Sequence, residues 1–430
     1  MRIIICGNEL ATATAAAALA WVGHQVTWHL LNGKSWQQLS TSKWLASEPQ
    51  LMERLEEAIH SGRLQFMGSA TDVPQDILWL ALSPEQRDQA VEIVLSSATQ
   101  LSEAAVLVNN STFPVGETEQ LESLMAQSGR AVSLPDLIEE GRAWDSFTRP
   151  ARWLLGCDND NAEATVREVL RAFNRRSDIF HRMPRRAAEL TKLAINGMLA
   201  TRISYMNEIA GLADSLDVDV EYVRQGMGSD SRIGYEYLYP GCGFGGPSFS
   251  RDLMRLADAQ NTTGRHSALL DRVLDINEQK KEALFRRLWH HYQGKLEGCV
   301  VAIWGAAFKP GTARIDHAPV LPLLDALWAQ GAQVQLHDPA AVPALQDKFG
   351  DHPQLTLYAS DPMDALQGAD VLMLVTEWKA YWNPDWQTLA SALKGKLLLD
   401  GRNIYDPGHV ASVGLHYRGI GRRADPPSGE

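Results

Sequence analysis

Residues 1–32 read MRIIICGNELATATAAAALAWVGHQVTWHLLN. The apolar run Ile3–Cys6 enters Gly7, an alanine-rich helical stretch follows, and Gln25–Trp28 begins a second apolar run. Strand, glycine turn, helix and strand in that order describe the first half-unit of a parallel sheet with crossover helices. Further along, Ile77–Ala81, Ala105–Val108 and Trp153–Leu155 read as strands, with helical patterns between several of them. Residues 1–184 are therefore assigned to an N-terminal α/β domain.

The pattern changes near Arg185. AAELTKLAINGMLATRISYMNEIAGLADSL is a helical stretch far longer than an average globular helix. It opens a central helical domain over 185–290, expected to act as a spine or dimer interface. A second α/β unit occupies 291–420. Val300–Trp304 is a strand, PVLPLLDALWAQGAQ a helix and VQLHDP the next strand, with VLMLVTEW and KLLLDGRN as later strands. Residues 421–430 are expected to form a flexible tail. The fold class is α/β: two Rossmann-like, doubly wound parallel-sheet domains joined by a long central helix.

A chain of 430 residues exceeds one ordinary core, which agrees with several domains. Apolar residues make up 45% and charged residues 21%, the balance of a globular protein rather than a fibrous or disordered one. A formal charge of -12 argues against nucleic acid or an anionic membrane as a partner, while leaving room for an anionic small ligand in a local basic cluster. Cys6, Cys157, Cys242 and Cys299 are scattered without metal-like spacing, so no metal is expected and a reduced cytoplasmic setting fits. The N-terminal apolar run is too short for a signal sequence, and no stretch approaches the roughly 20 apolar residues of a spanning helix.

The first strand–turn–helix is where a dinucleotide site belongs. Such a turn needs three glycines, for the tight turn, for pyrophosphate approach and for helix–strand packing. Here it reads Gly7-Asn8-Glu9-Leu10-Ala11-Thr12, and only the first glycine is present. Glu9 stands where the pyrophosphate should come closest. A carboxylate about 4 Å from a phosphate charge would cost about 4 kcal/mol at an effective dielectric constant near 20. Leu30 falls where the ribose-binding acid should end the second strand.

The segment GYEYLYPGCGFGGPSFSRD, residues 234–252, is glycine-rich enough to wrap a polar ligand, although a surface loop would read the same way. Lys192 and Asn196 lie at i and i+4 on one helix face, either as a site or as a solvated pair.

Taken in order, EP near residue 48, GRL at 62–64, STFPVG at 111–116, PDLIEEG at 135–141, AELTKLAIN, NEIA, DSRIG at 230–234, GFGG at 243–246, AAFKPGT at 306–312, TEW at 376–378, DGRN at 400–403 and GIGR at 419–422 resemble the UDP-glucose/GDP-mannose dehydrogenase family over nearly the whole chain. Family enzymes oxidise a sugar C6 alcohol to a carboxylate in two hydride transfers to NAD, with a Cys capturing the intermediate aldehyde as a thiohemiacetal. The resemblance implies catalytic positions at Lys192, Asn196, Glu140, Thr112 and Asp252, with the catalytic Cys falling on Ser248 and a neighbouring Lys on Arg251. It implies nucleotide-sugar contacts from Arg232, Phe244, Gly245, Lys309, Trp378 and Arg402, and a homodimer in which Arg232 would reach the partner's site.

The departures gather on the cofactor side. Gly7, Glu9, Thr12 and Leu30 form a degenerate NAD site, the loop after the fourth strand shortens to LSPEQ, and a family Arg falls on Asp316. An unassisted serine hydroxyl at 248 is not the nucleophile that a thiolate is. The expected protein binds a UDP-sugar but does not complete NAD-dependent oxidation. Two rival readings are an active dehydrogenase with divergent cofactor contacts and a non-catalytic structural or regulatory partner. On the sequence alone, Glu9→Gly, Thr12→Gly and Leu30→Asp together with Ser248→Cys should recover trace oxidation.

Overall fold

The computed structural model describes residues 1–67, 74–125, 129–175, 177–265 and 267–426. It contains two compact units, one from Met1 to Ile195 and one beginning at Asn196. The division falls inside a single 32-residue helix, Arg185–Leu216. The expected spine is thus one continuous helix, shared between the units.

The first unit holds an eight-stranded sheet: β1 (Arg2–Cys6), β2 (Gln25–His29), β3 (Leu64–Phe66), β4 (Gln75–Leu80), β5 (Leu101–Asn109), β6 (Ala131–Ser133), β7 (Trp153–Gly156) and β8 (Phe180–Met183). Its order is β3-β2-β1-β4-β5-β6-β7-β8, parallel throughout except between β6 and β7. Ile3, Ile4 and Ile5 are at most 1% exposed because helices cover both faces, which is why β1 reads as an unbroken apolar run. The helix Leu10–Trp21 is buried nearly all round. Its alanines let it sit close to the sheet and to the helices Leu51–His60 and Ala143–Thr148. The order reverses between β1 and β4, the switch point above which an open α/β sheet forms its crevice.

The second unit carries a seven-stranded sheet built from β9 (Val300–Trp304), β10 (Gln333–His337), β11 (Leu355–Tyr358), β12 (Val371–Leu374), β13 (Leu397–Asp400), β14 (His416–Gly419) and β15 (Arg423–Ala424). The order β11-β10-β9-β12-β13-β14-β15 places its switch point between β9 and β12. This unit also contains the helices Val220–Ser229, Phe249–Thr262 and Ala268–Lys281.

The tail expected from residue 421 is partly ordered. Arg422 donates to Asp219 at 2.8 Å, Arg423 donates to Asp217 at 2.6 Å, and β15 pairs antiparallel with β14. Guanidinium–carboxylate pairs more than 200 residues apart in sequence hold what composition alone reads as free. Residues 427–430 of that tail lie outside the described residues. Among the described residues, no helix is long and apolar enough to cross a membrane.

Candidate functional site

In the first unit, β1 runs into Gly7, whose φ of +139° favours glycine and where a Cβ would sit 2.2 Å from the Ala81 carbonyl oxygen. The Thr12 hydroxyl fills the neighbouring space. It donates to the Ala81 carbonyl at 2.6 Å and accepts from the Glu9 N–H at 3.2 Å. Glu9 is the exposed N-cap residue of the first helix. Asn8 is buried and bridges to Leu31, while Leu30 packs against the apolar core. The short LSPEQ loop is tied to the next strand by the Leu82 N–H, which donates to Ser111 Oγ at 2.9 Å.

Two buried carboxylates hold the loops that carry Thr112 and Glu140. Glu189 accepts from the Gly116 N–H at 2.6 Å, the Thr118 N–H at 3.0 Å and the Thr118 hydroxyl at 2.5 Å, which fixes the far end of STFPVG. Glu48 accepts from the Gly141 N–H at 2.5 Å and the Ala143 N–H at 3.1 Å, which fixes the turn just after Glu140. Sequence reasoning noted the EP and AELTK motifs without assigning these roles, because the bonds join residues 93 and 73 positions apart. Glu189→Ala would strand three buried donors, so a loss of about 3 kcal/mol is expected in urea denaturation, partly recovered by Glu189→Gln. A loss below about 1 kcal/mol would show that this clamp is not needed. Lys192, one turn further along the same helix, is 9% exposed.

In the second unit, Asn196 donates from Nδ2 to Asp252 Oδ2 at 2.7 Å, so these two expected site residues do come together. Asp252 lies on the helix Phe249–Thr262, and Ser248 is the N-cap of that helix. The Ser248 side chain is exposed and makes no capping bond. Within its unit, no His, carboxylate or amine among the described residues hydrogen-bonds the Ser248 hydroxyl. A general base is what a serine nucleophile requires.

The GFGG loop leading to Ser248 is held from three directions. Asn277 accepts from the Phe244 N–H at 2.8 Å and donates to the Phe244 carbonyl at 3.1 Å. The Gly246 N–H donates to the Asp316 carbonyl at 2.7 Å, and Gly246 adopts φ +99° against the Phe308 ring. Arg402 donates from Nη1 to the Gly243 carbonyl at 3.1 Å and from Nε to the Val375 carbonyl at 2.7 Å, with Glu377 Oε2 3.2 Å from Nε. Its Nη2 is buried with no hydrogen-bond partner among the described residues, a donor left for an incoming acceptor. Gly245 lies against the His317 carbonyl.

Trp378 donates to Asp338 at 3.0 Å, and the same carboxylate accepts from the turn N–H groups of Ala306 and Ala307 at 2.7 and 3.0 Å. Asp338 was not identified from sequence, although it ends β10 where an acid is expected in such a fold. Lys309 is half-buried on the loop that follows. Arg232 is exposed and paired with Asp230 at 2.7 Å.

Cys242 is fully buried, and burial pushes its thiol above the usual range, so it serves packing. At Asp316, burial pushes the carboxyl up. The Arg314 guanidinium 2.9 Å away outweighs this and holds it below the usual range. An anion therefore stands where the resemblance places a cationic contact.

Residues 1–174 match the NAD binding domain of the UDP-glucose/GDP-mannose dehydrogenase family, residues 186–279 its central domain and residues 302–407 its UDP binding domain. The chain belongs to this family. It is 37% identical to the UDP-glucose 6-dehydrogenase of Pseudomonas aeruginosa across 98% of both chains. It is 29% identical to that of Rhizobium meliloti across 98% of this chain and 100% of the relative. Among solved structures, a UDP-glucose dehydrogenase from Pyrobaculum islandicum superposes with a TM-score of 0.81 at 27% identity, covering 94% of each chain.

Family membership implies NAD, and the first unit offers the test of fit. The Glu9 N–H already donates to Thr12, Glu9 places a carboxylate at the turn, and Leu30 has no side-chain oxygen for a ribose hydroxyl. At these positions the turn departs from the pattern such a cofactor site needs.

Proposed function

We propose that this family member binds a UDP-sugar in its second unit and does not carry NAD-dependent oxidation at C6 to completion. The observation that supports this most strongly is the contrast between two crevices. In the second unit, Arg402 and Asn277 hold the GFGG loop and leave one buried guanidinium donor unused. In the first unit, at the turn that should receive a pyrophosphate, Thr12 takes up the Glu9 N–H and the Asn8 side chain is bonded to Leu31. Ser248 adds to this, since without a thiol the aldehyde has no covalent captor.

Ligand-induced stabilisation tests the reading. UDP-glucose at about 100 times its dissociation constant should add about 2.7 kcal/mol and raise the melting temperature. NAD should raise it little. A calorimetric NAD dissociation constant below ~100 μM would overturn the cofactor half of the proposal, and no shift with any UDP-sugar would overturn the other half.

One observation favours a second reading, an active dehydrogenase with divergent cofactor contacts. The chain aligns end to end at 37% identity with a UDP-glucose 6-dehydrogenase, and Lys192, Asn196 and Asp252 are all present. Formation of NADH from UDP-glucose and NAD by the wild-type protein would establish it.

We further propose a cytoplasmic homodimer formed along the long helix. Met198, Tyr205 and Leu212 recur every seven residues and are 62%, 50% and 54% exposed, an apolar stripe of the kind that a second helix covers. A monomer mass by light scattering at micromolar concentration would refute the dimer.

A further inference from the structure

The loss of glycines explains why NAD would bind poorly. It does not explain what the chain does with the vacated turn, where the Asn8 side chain and the Glu9 N–H have internal partners. Asn8, 5% exposed, follows Gly7 directly. Its Oδ1 accepts from the Leu31 N–H at 2.9 Å and its Nδ2 donates to the Leu31 carbonyl at 3.1 Å. A side-chain amide that satisfies both backbone groups of one residue does what a neighbouring strand would do. Leu31 lies two residues beyond β2, so the amide ties the turn after β1 to the loop after β2, the two segments between which a dinucleotide's pyrophosphate and ribose would be held. Beneath it, the fully buried Trp28 indole donates to the Gly7 carbonyl at 2.9 Å. On the helix side, the Thr12 hydroxyl takes up the Glu9 N–H. A pyrophosphate and ribose entering here would have to break bonds already made in a buried setting. Buried groups left without partners are costly.

We propose that Asn8 is a specificity-determining residue: its side-chain amide locks the turn after β1 to the loop after β2 and so excludes the dinucleotide, independently of the missing glycines. This rests on the reading that the first unit does not hold NAD, and the experiment separates the two. NADH binding is titrated by fluorescence on the full-length chain in three forms: wild type, the Glu9→Gly, Thr12→Gly, Leu30→Asp triple variant, and that triple variant with Asn8→Ala added.

The triple variant is expected to remain at or above ~1 mM, and removing the amide should tighten binding at least about tenfold. Equal affinity with and without Asn8 would overturn the proposal, as would failure of the fourfold variant to bind. A wild-type dissociation constant below ~100 μM would instead sink the parent reading, and the Asn8 lock with it. Should the combined variants fail to melt cooperatively, the single Asn8→Ala variant provides a second measurement. Hydrogen exchange at the Leu31 amide should accelerate at least about tenfold once its acceptor is gone, and an unchanged rate would overturn the proposal.

Discussion

Ser248→Cys on its own is expected to leave UDP-glucose unoxidised, with no NADH absorbance appearing. Residue 248 caps the helix Phe249–Thr262, a position that favours a thiolate, so the new side chain should be chemically competent. Competence of the thiol is not what limits the reaction. A thiolate captures an aldehyde, and the aldehyde exists only after a first hydride has left the sugar. On the proposed reading, Glu9 at the turn, Leu30 at the ribose position and Asn8 bonded to the loop after β2 leave no acceptor held to receive that hydride. Capture and hydride removal act as one unit, and effects within such a unit are strongly non-additive. Trace turnover is expected only when Ser248→Cys is combined with Glu9→Gly, Thr12→Gly, Leu30→Asp and Asn8→Ala. The last of these was not apparent from sequence, so the four-substitution repair is expected to fall short. Turnover near ~1 s⁻¹, typical of enzymes, by the single Ser248→Cys variant would show a working cofactor site and make the active-dehydrogenase reading correct.

Arg402→Ala should damage stability and ligand binding together. The guanidinium reaches the Val375 and Gly243 carbonyls and lies 3.2 Å from Glu377, and its side chain is 16% exposed. Truncation leaves two carbonyls short of a donor and a carboxylate without its cation, a change expected to cost about 3 kcal/mol. It also frees the GFGG loop from β12 and β13, so the thermal shift with UDP-glucose should disappear. Arg402→Lys should recover little of either, because one ammonium cannot reproduce the planar fork that serves two separate carbonyls. Chemical denaturation checks the first effect and thermal shift the second. An Ala variant within about 0.5 kcal/mol of wild type that still responds to UDP-glucose would remove Arg402 from both roles.

Much of the site was legible because its residues sit inside motifs. Ser248, Asp252, Asn196 and Arg402 were picked out by the resemblance, and of these Asn196 and Asp252 meet. The positioning groups were not legible. Glu48 and Glu189 stood in motifs that had been noticed, yet a buried carboxylate that holds a loop 93 or 73 residues away leaves no period or spacing to read. Asn277 was missed for the same reason, whereas Asp338 stands at a readable strand end and only its partners were not legible. Asn277 acts on Phe244 from 33 residues away, and Asp338 on Ala306 from 32.

By itself the sequence determined the strand–turn–helix at Gly7, the second α/β unit that begins with the strand Val300–Trp304, the long helix, the family, and the replacement of a thiol by Ser248. Each of these is written in local composition, in the two or 3.6-residue period, or in the identity of one side chain. Only the tertiary structure decided that Cys242 is sealed in packing, that Arg422 and Arg423 anchor a segment expected to be free, and that Asn8 bonds both backbone groups of Leu31. These facts depend on which backbone groups lie opposite a side chain after the sheet has formed. For Asn8, the partner is Leu31, brought within 3 Å only because β1 and β2 run parallel in register from Arg2 and Gln25 to Cys6 and His29.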